Sequence, residues 1–167
     1  MKLIFLDIDG VLNSDVYMET PFYQDEVKSH GINDYKSYAV VLRAHHTHLD
    51  PSAVQLLNQL VKDSGAEVIL SSTWRLRYSL EEMNDMLKKR GATFQIIGTT
   101  PSIKRQGTKR GSEVSLFLSK LEEQPESFVI LDDIDQFPHH RANFVRTPEK
   151  TGLTKEYVEK ALKILNG

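Results

Sequence analysis

The chain has no cysteine among its 167 residues. That removes disulfides, thiolate metal sites and thiol nucleophiles together. A dominant charge is also missing: 21 Lys and Arg stand against 23 Asp and Glu, for a net charge of −2. Neither a general nucleic-acid coat nor a membrane-surface protein is expected from that balance, so an anionic ligand must be captured by a local group of cations. No apolar run approaches the ~20 residues of a membrane span. The opening MKLIFLDIDG meets acid by position 7, too early for the core of a signal peptide, so it reads as a strand. There is no GxxxxGK[ST], and no GxGxxG follows a strand. The expectation is a soluble, cytoplasmic protein with one domain over residues 1–167.

Short apolar runs alternate with amphipathic segments, which predicts an α/β fold with a mostly parallel sheet flanked by helices. Residues 3–7 (LIFLD), 66–71 (AEVILS), 93–97 and 128–132 (FVILD) read as strands, with a short fifth at 144–146. Asp50-Pro51 opens a helix that Gly65 ends. Ser79 and Glu82 form a capping box for a second helix, stopped at Gly91. Further helices are expected from about Ser112 to Leu121 and from Thr154 to Leu165, with a basic loop over 98–111 before the former. Residues 14–49 scatter Tyr17, Phe22, Tyr23, Tyr35 and Tyr38 without a clean period, as in a small cap or an ordered loop inserted after the first strand.

Two strands end in acid. If 3–7 and 128–132 are neighbours in a parallel sheet, Asp7, Asp9, Asp132 and Asp133 converge at the carboxyl edge, where such sheets bind ligands. Four carboxylates in one crevice repel unless a cation sits among them. All-oxygen ligation suits Mg²⁺, which bridges readily to a substrate phosphate. An EF-hand does not fit, because Asp7-x-Asp9-Gly10 lacks the later ligands.

FLDIDGVLN resembles the first motif of the haloacid dehalogenase-like (HAD) superfamily. Ile69-Leu70-Ser71 resembles its second motif, and Ile130-Leu131-Asp132-Asp133 the double-Asp form of its fourth. Lys109 and Arg110 stand where the cation of the third motif is expected. Together with LSSTWR, KRGSEV and a late TGLT, the pattern looks like the HAD domain of Swiss Army Knife RNA repair proteins. The resemblance implies a Rossmann-like sheet and an aspartyl-phosphate mechanism with Mg²⁺. Asp7 would be the nucleophile and Asp9 the acid/base. The metal would be held by Asp7, the Asp9 backbone carbonyl and Asp132 or Asp133. Ser71, or Ser72 or Thr73 if the register slips, would hold a phosphate oxygen, and Lys109 or Arg110 would neutralise the phosphoryl group. Val11 departs from the commoner Thr of the first motif.

Trp74 and Arg75 follow the second motif, and residues 104–110 (KRQGTKR) add four cations. A base stacked on Trp74 and a phosphate gripped by Arg75 would suit a nucleotide or nucleic-acid end. The alternative makes Trp74 a core anchor and Arg75 the partner of an acid. His45, His46 and His48 invite a metal reading, but adjacent histidines point apart; a loop facing substrate or solvent fits better than zinc. His139 and His140 read as a surface turn after Pro138. The expected activity is a phosphomonoesterase acting on a nucleotide or nucleic-acid terminal phosphate. A small-metabolite phosphatase and a phosphate-binding module without turnover are the alternatives. Asp9 argues against the last, since a pure acceptor needs no second acid.

Overall fold

Leu3, Ile4, Phe5 and Leu6 are all buried in the computed structural model, which describes residues 1–34, 45–103 and 109–167 and not the side chain of His45. A strand whose successive residues are all buried is covered on both faces, as the centre of an α/β sheet must be. This strand, β1 (Lys2–Leu6), lies in the middle of five. The others are β2 (Glu67–Leu70), β3 (Ile96–Thr99), β4 (Ser127–Asp132) and β5 (Phe144–Arg146). Every pairing is parallel and the order is β3-β2-β1-β4-β5. The expected adjacency of the two acid-ending strands is therefore present.

The helices are α1 (Asp15–Met18), α2 (Pro21–Ser29), α3 (Pro51–Ser64), α4 (Leu80–Lys89), α5 (Arg110–Ser119) and α6 (Lys155–Asn166). The β1 pleat divides the core. Ile4 and Leu6 join Val54, Leu57, Met83, Val158 and Leu165 from α3, α4 and α6 on one face. Leu3 and Phe5 join Val114 and Leu118 of α5 on the other. Phe5 meets Phe117 and Phe128 edge-on at 5.5 and 5.8 Å. A buried Phe of this kind contributes about 3–5 kcal/mol relative to Ala.

Local chemistry sets the helix ends largely as expected. Asp50 caps α3, Gly65 closes it at φ 67°, and Ser79 with Glu82 forms a complete capping box on α4. Two elements start two or more residues away from the expected position. The third strand begins at Ile96, not at 93, because side chains take the preceding backbone donors: Thr93 N–H goes to Asn58 Oδ1 and Ile96 N–H to Asn84 Oδ1. Helix α5 begins at Arg110, two residues earlier than expected, with Gln136 accepting from the amides of Arg110 and Gly111.

In the 14–49 insertion, α1 is tied to the loop before α6 by Asp15 N–H to the Glu149 carbonyl and Val16 N–H to that of Lys150. Tyr17, Tyr23, Val27 and Ile32 form a separate small core. Tyr17 donates to the Thr47 carbonyl at 2.8 Å, inside a turn of 3₁₀ helix at His45–His48. Tyr35, Tyr38 and the cations within 104–108 lie outside the described residues. Among the described residues, no helix is long and apolar enough to cross a membrane.

Candidate active site

The strand register builds the acidic cluster. Leu6 pairs with Leu70 on one side and Leu131 on the other, so the next residues, Asp7, Ser71 and Asp132, come level at the carboxyl edge. Asp7 N–H donates to the Leu131 carbonyl and Ser71 N–H to that of Leu6, which locks the alignment. Asp7 and Asp132 are 3% and 0% exposed, very low for carboxylates. Asp133 stands beside them, and one ligand oxygen from each of Asp7, Asp132 and Asp133 lies within 4.8 Å of the other two. Gly10 makes this approach possible. It adopts φ 69°, and a Cβ there would lie 2.6 Å from the Asp133 Cβ.

Arg110 faces two of these acids. Its Nη1 donates to Asp7 Oδ2 at 2.5 Å and to Asp132 Oδ2 at 2.6 Å. A cation in the first turn of a helix opposes the helix dipole, so this position is stabilised by the acids and not by α5 itself. Lys109 is exposed at the N-cap of the same helix and makes no side-chain cap. The geometry thus separates two neighbours that the sequence left equivalent.

Among the described residues, the cluster remains short of positive charge. Burial raises the Asp132 carboxyl to about 7, helped by the Asp7 charge, against the pull of Arg110. Asp7 is raised as well, by burial first, despite Arg110, the Ser72 hydroxyl and the Ile8 amide, all of which favour its anion. Among the described residues, three carboxylates gathered beside one guanidinium fit a further cation with oxygen ligands, and Asp7, Asp132 and Asp133 could hold it. No histidine belongs to this group among the described residues. His46 pairs with Glu26, and His48 Nδ1 lies 3.3 Å from the Tyr23 hydroxyl. His140 Nε2 meets Ser115 Oγ at 2.8 Å.

The second strand end supplies hydroxyls. Ser71 Oγ is buried and has no hydrogen-bond partner among the described residues. Ser72 hydrogen-bonds the Asp7 carboxylate, and its oxygen also accepts from Trp74 N–H at 3.4 Å. Trp74 and Arg75 lie in a 3₁₀ turn at Thr73–Leu76 and take different directions. Arg75 is turned inward: its guanidinium pairs with Glu113 at 2.6 Å and donates to the Ser72 carbonyl. Trp74 is 8% exposed, and its indole N–H donates to Asp9 Oδ2 at 2.9 Å. Asp9 lies on the solvent side of the cluster. A cavity of about 450 Å³ opens beside it, lined also by His48, Trp74, Leu76, Arg77 and Tyr78.

Sequence reasoning gave no role to two polar residues here. Asn13 Nδ2 donates to Asp9 Oδ1 at 2.8 Å, and buried Thr147 donates to the Gly10 carbonyl at 2.7 Å. Asn13 carried a signal in its spacing, four residues after Asp9 within a turn. Thr147 carried none, because its contact spans most of the chain.

A parallel Rossmann-like sheet with paired acids at the ends of β1 and β4 defines a HAD-type α/β domain, a class of phosphatase-type hydrolases. The chain belongs to the family described as the HAD domain in Swiss Army Knife RNA repair proteins, whose model it matches over residues 3–158. No curated protein and no solved structure gives a significant match.

Proposed function

We propose that this protein is a Mg²⁺-dependent phosphomonoesterase that works through an aspartyl-phosphate on Asp7 and acts on a nucleotide or nucleic-acid terminal phosphate. The carrying observation is the convergence of Asp7, Asp132 and Asp133, paired among the described residues with Arg110 alone. A divalent ion at these acids would offset the charge of the incoming phosphoryl group. Arg110, rather than Lys109, is the cation that screens the phosphoryl oxygens. The Ser71 hydroxyl, without a partner among the described residues, is matched to one phosphate oxygen, and Ser72 orients the nucleophile.

In this reading a carboxylate oxygen of Asp7 attacks phosphorus, the bond to the leaving oxygen breaks, and that oxygen takes a proton from Asp9. Water then attacks phosphorus and gives its proton to Asp9. The bond to Asp7 breaks and inorganic phosphate leaves. Because Asp9 borders the cavity, the leaving group occupies it, against Trp74, Tyr78 and Arg77. Aromatic rings beside a guanidinium suit a nucleoside. Arg75 is assigned to holding the turn and not to substrate. The whole chain acts as one catalytic unit, and the 14–49 insertion, whose His48 lines the cavity, serves as a small cap. The family's connection with RNA repair supports a nucleic-acid-related substrate.

The test is phosphate release with Mg²⁺ from mononucleotides, 3′- and 5′-phosphorylated oligonucleotides and sugar phosphates, for the wild type and Asp7→Asn. Nucleotide or oligonucleotide esters should be preferred, with activity lost in the variant. Preference for sugar phosphates would move the protein to small-metabolite chemistry, and retained turnover in Asp7→Asn would remove the nucleophile.

A further inference from the structure

Asp9 is the most exposed carboxylate of the acidic group, yet both of its oxygens are engaged. Asn13 Nδ2 donates to Oδ1 at 2.8 Å and Trp74 Nε1 to Oδ2 at 2.9 Å. Both donors are themselves fixed. Asn13 is 6% exposed and its amide oxygen accepts from Gly10 N–H at 2.9 Å, which sets which end of the amide faces Asp9. The Trp74 ring is packed against Tyr78 and His48, with centroids 5.4 and 6.4 Å away. A solvent-facing Asp otherwise samples several rotamers, of which an acid/base step uses one.

We infer that Asn13 and Trp74 are positioning residues that clamp Asp9 in the rotamer from which it exchanges a proton with the leaving oxygen. The inference rests on the acid/base assignment of Asp9. It gives Trp74 a double place: its ring lines the leaving-group cavity while its N–H holds the acid that serves that cavity. The two clamping donors lie 13 and 74 residues into the chain, on either side of α3, so the proton-transfer geometry is assembled only when the β1 and β2 ends are in register.

Trp74→Phe tests this directly, since it keeps a ring in the packing and removes the N–H. The readout is kcat/KM across monophosphate esters of increasing leaving-group basicity. A lost proton donor matters most for poor leaving groups, and general acid catalysis contributes about 10²–10⁴-fold in rate. Trp74→Phe should steepen the dependence on leaving-group basicity towards that of Asp9→Ala, mainly through kcat, with about a tenfold or greater loss on the most basic leaving group. Asn13→Ala should steepen it in the same way. In the Asp9→Ala background, adding Trp74→Phe should change the slope no further, because residues acting through one group are not additive. A loss equal for all esters would make Trp74 a packing residue. A rise in KM confined to nucleotides would make it a stacking contact; either result overturns the clamp. If Asp9→Ala leaves the slope unchanged, the acid/base assignment fails and the clamp fails with it. If Asp9→Ala steepens the slope and neither Trp74→Phe nor Asn13→Ala does, only the clamp is overturned.

Discussion

Replacing Arg110 with Ala removes the guanidinium that touches both buried acids. Each contact is a charge-assisted hydrogen bond, 2.5 Å to Asp7 and 2.6 Å to Asp132. The Arg110 side chain is 14% exposed and the side chains of its two partners 4% and 1%, so solvent replaces little of what is lost. Breaking a buried ion pair from one side costs about 3–5 kcal/mol. A second route gives the same scale. With acid oxygens within 4.8 Å of each other, two unscreened charges repel by about 3.5 kcal/mol at an effective dielectric of 20. The two figures describe one effect and do not add. In a chain of this length, each kcal/mol moves the melting temperature by about 2–4 °C. Arg110→Ala should therefore melt some 6–20 °C below wild type at neutral pH. The gap should shrink in acid, where Asp132, already raised to about 7, takes up a proton and the repulsion ends. Added Mg²⁺ should recover part of the loss at neutral pH, while kcat stays low because the phosphoryl oxygens lack their cation. Thermal melts at several pH values, with and without Mg²⁺, check this. An Arg110→Ala protein with the wild-type melting temperature and full turnover would refute the electrostatic account of the cluster, and Lys109→Ala gives the contrast, with a change within about 0.5 kcal/mol.

Metal-free wild type should lose stability as pH rises from the ordinary carboxylate value towards about 7. Across that window the unfolded chain has released the Asp132 proton and the folded chain still binds it, so the native state binds more protons and rising pH favours unfolding. Asp132→Asn should flatten that slope in a pH series of melts. Gly10→Ala should destabilise by about 1–2 kcal/mol from its left-handed backbone alone, and displacement of Asp133 should weaken Mg²⁺ binding in calorimetry. Arg75→Ala strands Glu113, which is 12% exposed, and should cost about 3 kcal/mol or more. Its remaining activity should fall equally on aryl phosphates and nucleotides, whereas a loss confined to nucleotides would restore Arg75 as a substrate contact.

Much of the frame was legible because it depends on local chemistry. The unbroken apolar run of β1 announced a strand buried on both faces, and the acids ending β1 and β4 announced the edge where they meet. The caps at Asp50, Gly65 and Ser79 are short-range bonds and sit where the sequence puts them. What escaped depends on partners distant in the chain. Which of Lys109 and Arg110 faces the acids depends on Gln136, which accepts from the first amide of α5 while Arg110 reaches Asp7. The fate of Arg75 was set by Glu113, 38 residues away. The third strand slipped because Asn58 and Asn84, one on each of two helices, claimed its leading amides. The hydrogen bond from Asn13 to Asp9 was hidden within a motif already accounted for by its two aspartates.

The central claim is that Asp7 carries the phosphoryl group. Its most direct test incubates the Asp9→Asn variant with Mg²⁺ and an aryl phosphate whose leaving group needs little protonation, then quenches in acid and maps phosphorylation by peptide mass spectrometry. One acid-stable, alkali-labile phosphoryl group is expected on the peptide containing Asp7, absent when Asp7→Asn is added. Continued phosphate release with Asp7 unmodified, or a phosphoryl group on another residue, would contradict it.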